Sequence, residues 1–377
     1  MSTRTIENMR LGLRVLDEYR GNCEWFKPRT LFLCRHGSHA YGTNGPDSDV
    51  DVKGVFMAPK NYVLGTQGDV EHIDKGWQDL DCALYDLRTY VKLALDNNPN
   101  ILELLFIDPS DWLFVTDTWQ RFVAVRHSFL SQNVKNRYCG YAVSQLKRIR
   151  AHRRWLLDPP QKKPERADYG LTEQVVIPKE QREAYEDLMK KVVESWQVDF
   201  GDLDDGARIA ILNKQASALA DMKLSLEDQY VAAGNKLGLS SQAMELLKKE
   251  RQFKAAVSEW QQYQTWLRER SPVRAALEAK FGYDTKHGMH LVRLMRQARE
   301  LLEKGTLIVK RPDAEELKAI RHEGTWSFEQ LEEWGVRQDA ELEALKGKDV
   351  LPRRPDRDGV DKLTIQVVQE HLDKEPE

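Results

Sequence analysis

The residues best suited to chemistry lie in the stretch 37-GSHAYGTNGPDSDVDVKGV-55, where Asp49 and Asp51 alternate with Val50 and Val52. In an extended strand successive side chains point to opposite faces, so both aspartates face one way and both valines the other. Two carboxylates side by side repel and raise each other's pKa unless a cation sits between them. A divalent ion supplies that cation. Mg2+ (or Mn2+) favours oxygen ligands and is usually held by one or two carboxylates plus substrate phosphates. The pair therefore reads as half of a metal site for phosphoryl or nucleotidyl transfer. Gly37-Ser38, ten residues upstream, reads as the other half. The glycine lets a ligand approach the backbone closely. A helix beginning near Ser38 would turn free N–H groups toward phosphate, and the serine hydroxyl adds a donor.

A third carboxylate on a neighbouring strand would complete a two-metal site, which activates an attacking hydroxyl and stabilises the leaving oxygen. Asp79 and Asp81 share parity on a downstream strand. Asp81 is preferred, because it lies mid-strand, five residues before Asp86 at the start of a helix; Asp79 and Glu71 are the fallbacks. The competing reading of Asp49/Asp51 is a solvated strand edge. The upstream Gly-Ser, the preceding apolar strand and the downstream acidic strand weigh against it. No G-x-x-x-x-G-K-[ST], G-x-G-x-x-G or H-E-x-x-H pattern occurs.

A second group of candidates lies in 283-YDTKHGMHLVR-293. Lys286, His290, Arg293 and Gln297 recur at helical spacing and share one face. Lys286 and Arg293 are expected to contact a triphosphate or an RNA phosphate, Arg through its planar fork. His290 would bond the same group or shuttle a proton. The plainer reading is a polar helix face with a satisfied histidine. His287 falls beside Leu291 and reads as packed. Arg88 and Asn98 read equally as site supports or as a salt bridge and a cap; Tyr41 reads as a base-stacking ring or a packed one.

The elements that must position these groups follow from periodicity. An amphipathic helix spans about 5–20, with Ile6, Met9, Leu13 and Leu16 on one side. Strands are expected at Thr30 to Cys34, Asp49 to Met57 and Gln78 to Leu84. From Leu84 the period becomes helical, ending at Asn97-Asn98-Pro99, where Pro99 opens a helix to Phe106. Beyond about 115 helices dominate, at 117–156, 178–197, 207–232, 240–270, 273–280 and 284–304. Ser240 or Ser241 is positioned to cap one of them. The expected fold is α+β: a small mixed-sheet domain over 1–115, then a larger all-helical domain over 116–350 with a long insertion at about 155–275, then a partly flexible tail over 351–377.

The 377 residues are 41% hydrophobic and 31% charged, an ordinary globular composition. No apolar run approaches the roughly 20 residues that span a bilayer, and the charged N-terminus has no secretory h-region. Cys23, Cys34, Cys82 and Cys139 are scattered, which suggests no zinc or disulfide framework and points to a reducing cytoplasm. Net charge is only -3. Yet from Lys135 to Arg166 basic residues are opposed only by Asp158 and Glu165. Such an excess is either a solvated helix face or an attraction for polyanions such as RNA. RIRAHRRWL (148–156) reads equally as an RNA-contacting mix of charge and stacking or as an amphipathic helix with a core tryptophan.

On these residues the chain resembles the DNA polymerase β nucleotidyltransferase superfamily. GSHAYGTNGPDSDVDVKGVF is more narrowly similar to the RNA-ligase-associated predicted nucleotidyltransferases. LYDLRTYVKLALDNNPNILELLF (84–106) and YDTKHGMHLVRLMRQARELLEKG (283–305) resemble other blocks of that family. The resemblance implies a mixed sheet covered by helices and a triad of Asp49, Asp51 and an acidic residue on the next long strand. It also implies an NTP substrate, ATP among the candidates, and transfer of its NMP to an acceptor hydroxyl with release of pyrophosphate. By analogy the acceptor is an RNA end, possibly on a tRNA. Two further readings stand beside this one. The Gly-Ser-x10-Asp-x-Asp spacing also resembles antitoxin-type enzymes that transfer AMP to a protein. A non-catalytic RNA- or nucleotide-binding module is the other. Arg121-x5-His127 roughly matches an RNase-like spacing of little weight.

Overall fold

The structure is a computed structural model that describes residues 3–18, 26–46, 48–66, 72–77, 80–173, 178, 180, 183–188, 238–346, 348 and 350–374. It divides into two compact units: residues 1–157 with 271–377, and residues 158–270.

The first unit is α+β. Strands β1 (Thr30–Arg35), β2 (Val50–Phe56), β3 (His72–Trp77), β4 (Leu80–Asp86) and β5 (Trp112–Val115) form one mixed sheet in the order β3-β4-β2-β1-β5. β1 pairs antiparallel with β2 and β5, β3 pairs antiparallel with β4, and β2 runs parallel to β4. Alternation assigns the two faces. Val52, Phe56, Cys82 and Leu84 are buried with Leu33 against Val15 and Leu16 of helix α1 (Thr3–Glu18) and Phe26 of the short α2 (Phe26–Arg29). Asp51, Lys53 and Val55 have the opposite parity and look toward a helical layer.

That layer contains the short α3 (Gly37–Tyr41), α5 (Leu87–Leu95), α6 (Pro99–Leu102), α7 (Asp117–Ala124) and α8 (Asn133–Leu157); the short α4 (Lys60–Val63) follows β2. Aromatic rings join this layer to the sheet: Phe32 of β1 stacks on Trp119 of α7 at 4.7 Å between ring centres. After the second unit the chain returns as α10 (Pro272–Phe281), α11 (Thr285–Lys304), α12 (Ala314–Glu323), α13 (Phe328–Leu345) and α14 (Arg357–Leu372). Asp284 caps α11 by accepting the His287 N–H, and Gly305 ends it in the left-handed conformation. Leu291, Leu294, Ala298, Leu301 and Leu302 form its buried stripe, so the polar residues between them are carried over the sheet.

The second unit contains α9 (Ser241–Glu269), capped by Ser240. Arg166 pairs with the nearly buried Glu250 of α9 through two bonds of 2.6 and 3.2 Å. Met244, Leu247, Tyr263 and Trp266 are buried.

Several boundaries differ from those expected. β3 and β5 were not anticipated. The expected strand start at Gln78 lies outside the described residues, and Leu84 is a strand residue; the helix starts at Leu87, with Asp86 accepting the Arg88 N–H as its cap. The helix expected over 117–156 is interrupted at 125–132. There Asn97 donates to the Phe129 carbonyl at 2.6 Å and accepts from Ser131 Oγ at 2.7 Å, fixing a turn. Much of the 178–197 helix, and all of the 207–232 helix, lies outside the described residues. The 115/116 division does not separate compact units, because α8 and α11 complete the core on the sheet. The tail is not flexible throughout: Arg357–Leu372 is a helix that buries Val360, Thr364 and Val367 at four- and three-residue spacing. No helix among the described residues is long and apolar enough to cross a membrane. Cys34, Cys82 and Cys139 are free and buried.

Candidate functional site

The parallel pairing of β2 and β4 places Asp51 directly across from Asp81. Asp49 lies just before β2, two residues from Asp51. Asp49 and Asp81 are exposed, and Asp51 is half-buried. Burial, and then the neighbouring Asp81, raise the Asp51 carboxyl above its ordinary range, while Lys286 and Lys53 oppose the rise. Asp51 thus lines one cavity with Asp81 and another with Asp49, and both neighbours raise its carboxyl, a repulsion that a divalent cation would relieve. Asp79 and Glu71 lie outside the described residues.

Gly37 forms the wall beside Asp51. Its φ is +59°, and a Cβ there would fall 1.9 Å from Asp51 Oδ2. Both facts require glycine. The His36 N–H donates to the Asp51 carbonyl at 2.8 Å, tying the end of β1 to β2. Ser38 lies in the five-residue α3, whose carbonyl is held by the Thr43 N–H at 2.9 Å.

Two cavities meet at these residues. The smaller, about 170 Å³, is lined by Ser38, Asp49 and Arg321. The larger, about 420 Å³, is lined by Asp81, Lys53, Arg148 and Arg274. Gly37, Tyr41, Asp51, Lys286 and His290 line both. Lys286 thus lies with Asp51 on the walls of both cavities. Desolvation, then Arg321 and Arg274, lower its pKa. Burial, then Arg293 and Lys286, hold His290 well below the ordinary histidine range, so it is neutral near pH 7. Among the described residues Lys286 and Arg321 form no ion pair.

Arg293 differs from the expectation of an open phosphate contact. It is 3% exposed. Its Nη1 donates to Glu103 Oε1 at 2.7 Å and to Gln297 Oε1 at 2.8 Å, and its guanidinium lies 3.8 Å from the centre of the Tyr41 ring. Tyr41 Oη donates to Glu103 Oε2 at 2.7 Å, and His36 Nε2 lies 3.3 Å from the same oxygen. Burial alone would raise the Glu103 carboxyl, but Arg293 and His36 hold it well below the usual carboxylate range. Arg293 and Tyr41 are thus committed to a buried network beneath the cavity. Tyr41 is a packed ring.

Three residues were not singled out from sequence. Lys53 continues the Asp49–Asp51 parity along β2, and its Nζ donates to the Asn100 carbonyl at 3.3 Å. Arg321 reaches the site from α12. Glu103 sits in an apolar run, where nothing but its charge marks it. Asn98 is both cap and support: it accepts from the Asn100 N–H and donates to Tyr141 Oη at 2.9 Å. Arg88 bonds Asp86 at 3.2 Å.

His287 is not simply packed. It lines the larger cavity, with Nδ1 2.6 Å from Gln145 Oε1 and Nε2 2.8 Å from Arg274 Nη2. Ligand atoms of His152, Asp284 and His287 lie within 4.8 Å of one another, a spacing that would suit a metal. Arg274 fills the gap instead, bonding both Asp284 and His287. Its permanent positive charge disfavours a cation there.

The basic run 135–166 is largely neutralised. Lys135 pairs with Asp339 and Glu343, Arg137 with Asp96, Arg150 with Glu332, Arg153 with Glu329 and Lys162 with Asp168. Trp155 is buried, so the tryptophan of the stretch 148–156 is a core residue, while Arg148 remains exposed. Arg121 pairs with Glu370 at 2.6 Å, and His127 packs edge-on to Phe106.

Comparison with known proteins places this site in a sequence context. Residues 14–158 match the family described as the RNA repair pathway DNA polymerase beta family. The match ends before α11, so the 283–305 block lies outside it. Over 132 residues, 31% of the chain, the sequence is 34% identical to an uncharacterised 38.9 kDa protein of Enterobacteria phage T4, covering 38% of that protein. Over 96 residues, 25% of the chain, it is 27% identical to the uncharacterised protein YcgL of Bacillus subtilis (strain 168), covering 37% of it. The chain thus spans less than two-fifths of these curated relatives. The family supports a nucleotidyltransferase-like role and a connection with nucleic acid. Residues 14–158, the stretch that carries the sheet, the Gly-Ser turn and the three carboxylates, are thus similar to the RNA repair pathway DNA polymerase beta family.

Proposed function

We propose that the protein is a metal-dependent nucleotidyltransferase that moves an NMP from an NTP to an acceptor hydroxyl on an RNA end. The observation that carries this reading is the register of Asp51 against Asp81, with Asp49 two residues away and Gly37 pressed against the Asp51 carboxylate. Asp49, Asp51 and Asp81 are the residues that would hold Mg2+ or Mn2+. The ion would supply positive charge at the attacking and leaving oxygens.

The chain's own groups do the rest. Ser38, Lys286 and Arg321 around the smaller cavity bind the triphosphate. Asp81 orients the acceptor hydroxyl and passes its proton to solvent. The hydroxyl oxygen bonds to the α-phosphorus as the bond to the bridging oxygen breaks, and pyrophosphate leaves. Neutral His290 offers a hydrogen bond between the two cavities. Arg293 acts at one remove, fixing Tyr41 and Glu103 under the cavity floor.

The test is transfer of label from each α-labelled NTP, with Mg2+, to RNA, beside the Asp49→Ala/Asp51→Ala protein. Labelled RNA with the wild type, and little or none with the double variant, is the expected result. Label on a protein band instead, or equal labelling by both proteins, would overturn the reading.

A further inference from the structure

The larger cavity is built partly by one face of α8. Tyr141, Gln145 and Arg148 recur at four and three residues, so they lie along one stripe of the helix, and all three line the cavity that also contains Asp81. Each is fixed or left open in a way that suits a ligand. Asn98 holds Tyr141 Oη at 2.9 Å, which orients a half-buried ring at the cavity wall. Arg274 Nη2 donates to His287 Nε2, so His287 Nδ1–H donates to Gln145 Oε1. That chain of bonds leaves the Gln145 amide N–H2 as a donor. Arg274 is anchored by the fully buried Asp284 yet remains 28% exposed. Arg148 is exposed and forms no ion pair among the described residues. On the same helix Lys135, Arg137, Arg150 and Arg153 are each neutralised by a carboxylate.

An aromatic face beside exposed positive charge, here the ion-pair-free Arg148 and the partly exposed Arg274, is how single-stranded nucleic acid is held without reading sequence. We infer that the α8 stripe and Arg274 form an acceptor subsite for the 3′-terminal nucleotides of single-stranded RNA, with a base stacked on Tyr141 and the last internucleotide phosphate held by Arg148 and Arg274. The inference rests on the nucleotidyl-transfer reading and adds the class of acceptor and the residues that select it. Asp81 then faces the acceptor's hydroxyl, whereas Ser38 and Asp49 face the smaller cavity.

The experiment uses the full chain and a 5′-fluorescein RNA hexamer, with binding read by anisotropy. Arg148→Ala is expected to weaken binding about tenfold and to lower the slope of log affinity against log salt by about 0.7, one single-strand phosphate contact. Replacing the last phosphate of the hexamer by a methylphosphonate should abolish the difference between wild type and variant. Tyr141→Leu should weaken binding by a similar factor without changing the salt slope. Both side chains are on the cavity wall rather than in the core, and circular dichroism checks folding; Arg148→Gln provides a second variant. In the transfer assay the same changes should raise the acceptor KM and leave the NTP KM unchanged. A rise in the NTP KM alone, or hexamer binding indifferent to Arg148, Tyr141 and the methylphosphonate, would overturn the subsite. Hexamer binding with the expected dependences, but no transfer from any NTP, would uphold the subsite and overturn the catalytic reading instead.

Discussion

At the scale of single residues, the site depends on bringing like charges together. Asp51 and Asp81 face each other on parallel strands, and burial with mutual repulsion raises the Asp51 carboxyl. A cation bound by the folded chain alone stabilises that chain. Millimolar Mg2+ should therefore raise the unfolding temperature of the wild type by a few degrees, and that of Asp51→Asn/Asp81→Asn not at all; scanning fluorimetry compares them. Gly37→Ala puts a methyl on the Asp51 carboxylate and forces an L side chain to φ +59°. It should cost roughly 1–3 kcal/mol by urea unfolding and remove most transfer activity. The carboxylates were legible because strand parity alone puts Asp49 and Asp51 on one face and a downstream acidic strand offers a partner. Lys53 has the same parity, but a lysine there carries no pattern of its own. Arg293 was placed on the correct helix face, but its burial beside Glu103 depends on a segment 190 residues away, which periodicity does not report.

At the scale of elements, the site is a junction between the sheet and α11. Glu103 on the turn after α6 binds Arg293 of α11, and Tyr41 of α3 joins them. Removing one partner of a buried ion pair leaves the other charge uncompensated. Glu103→Ala should thus destabilise the protein by about 3–5 kcal/mol, whereas Glu103→Ala with Arg293→Met should cost less than either change predicts by addition. A double-mutant cycle in urea measures the difference. The long periodic elements were readable: α11 follows its apolar stripe, and β1 and β2 follow theirs. β3 (HIDKGW) and β5 (WLFV) are short, and β3 mixes charge with a glycine, so neither has enough alternation to stand out. α14 was masked by the prolines and charges around it, although Val360, Thr364 and Val367 carry a helical spacing.

At the scale of the whole molecule, buried ionisable groups couple stability to pH. Burial, and Arg274 beside the ring, lower His287 from 6.5 to about 4, although Asp284 opposes the shift. Between those values the unfolded chain binds a proton that the folded chain refuses. Stability should therefore be complete above about pH 6.5 and fall as pH drops toward 4, by at most about 1.4 kcal/mol per unit for this group. Glu103, depressed when folded, adds a loss of the same sign as pH falls below its unfolded value. Urea midpoints from pH 7 to 4 test the slope, and His287→Gln should flatten it. The division of the chain was the least legible feature, because it depends on which helices share a core rather than on composition. α8 ends at Leu157, but its partner α11 ends at Lys304, and these two helices share the most extensive interhelical contact among the described elements. During synthesis at about 5–20 residues per second, the partner arrives roughly 7 to 30 s after α8 has been made. For that interval the nascent chain carries an uncovered apolar helix face, so the length of the intervening segment is also a delay during which a chaperone has time to bind.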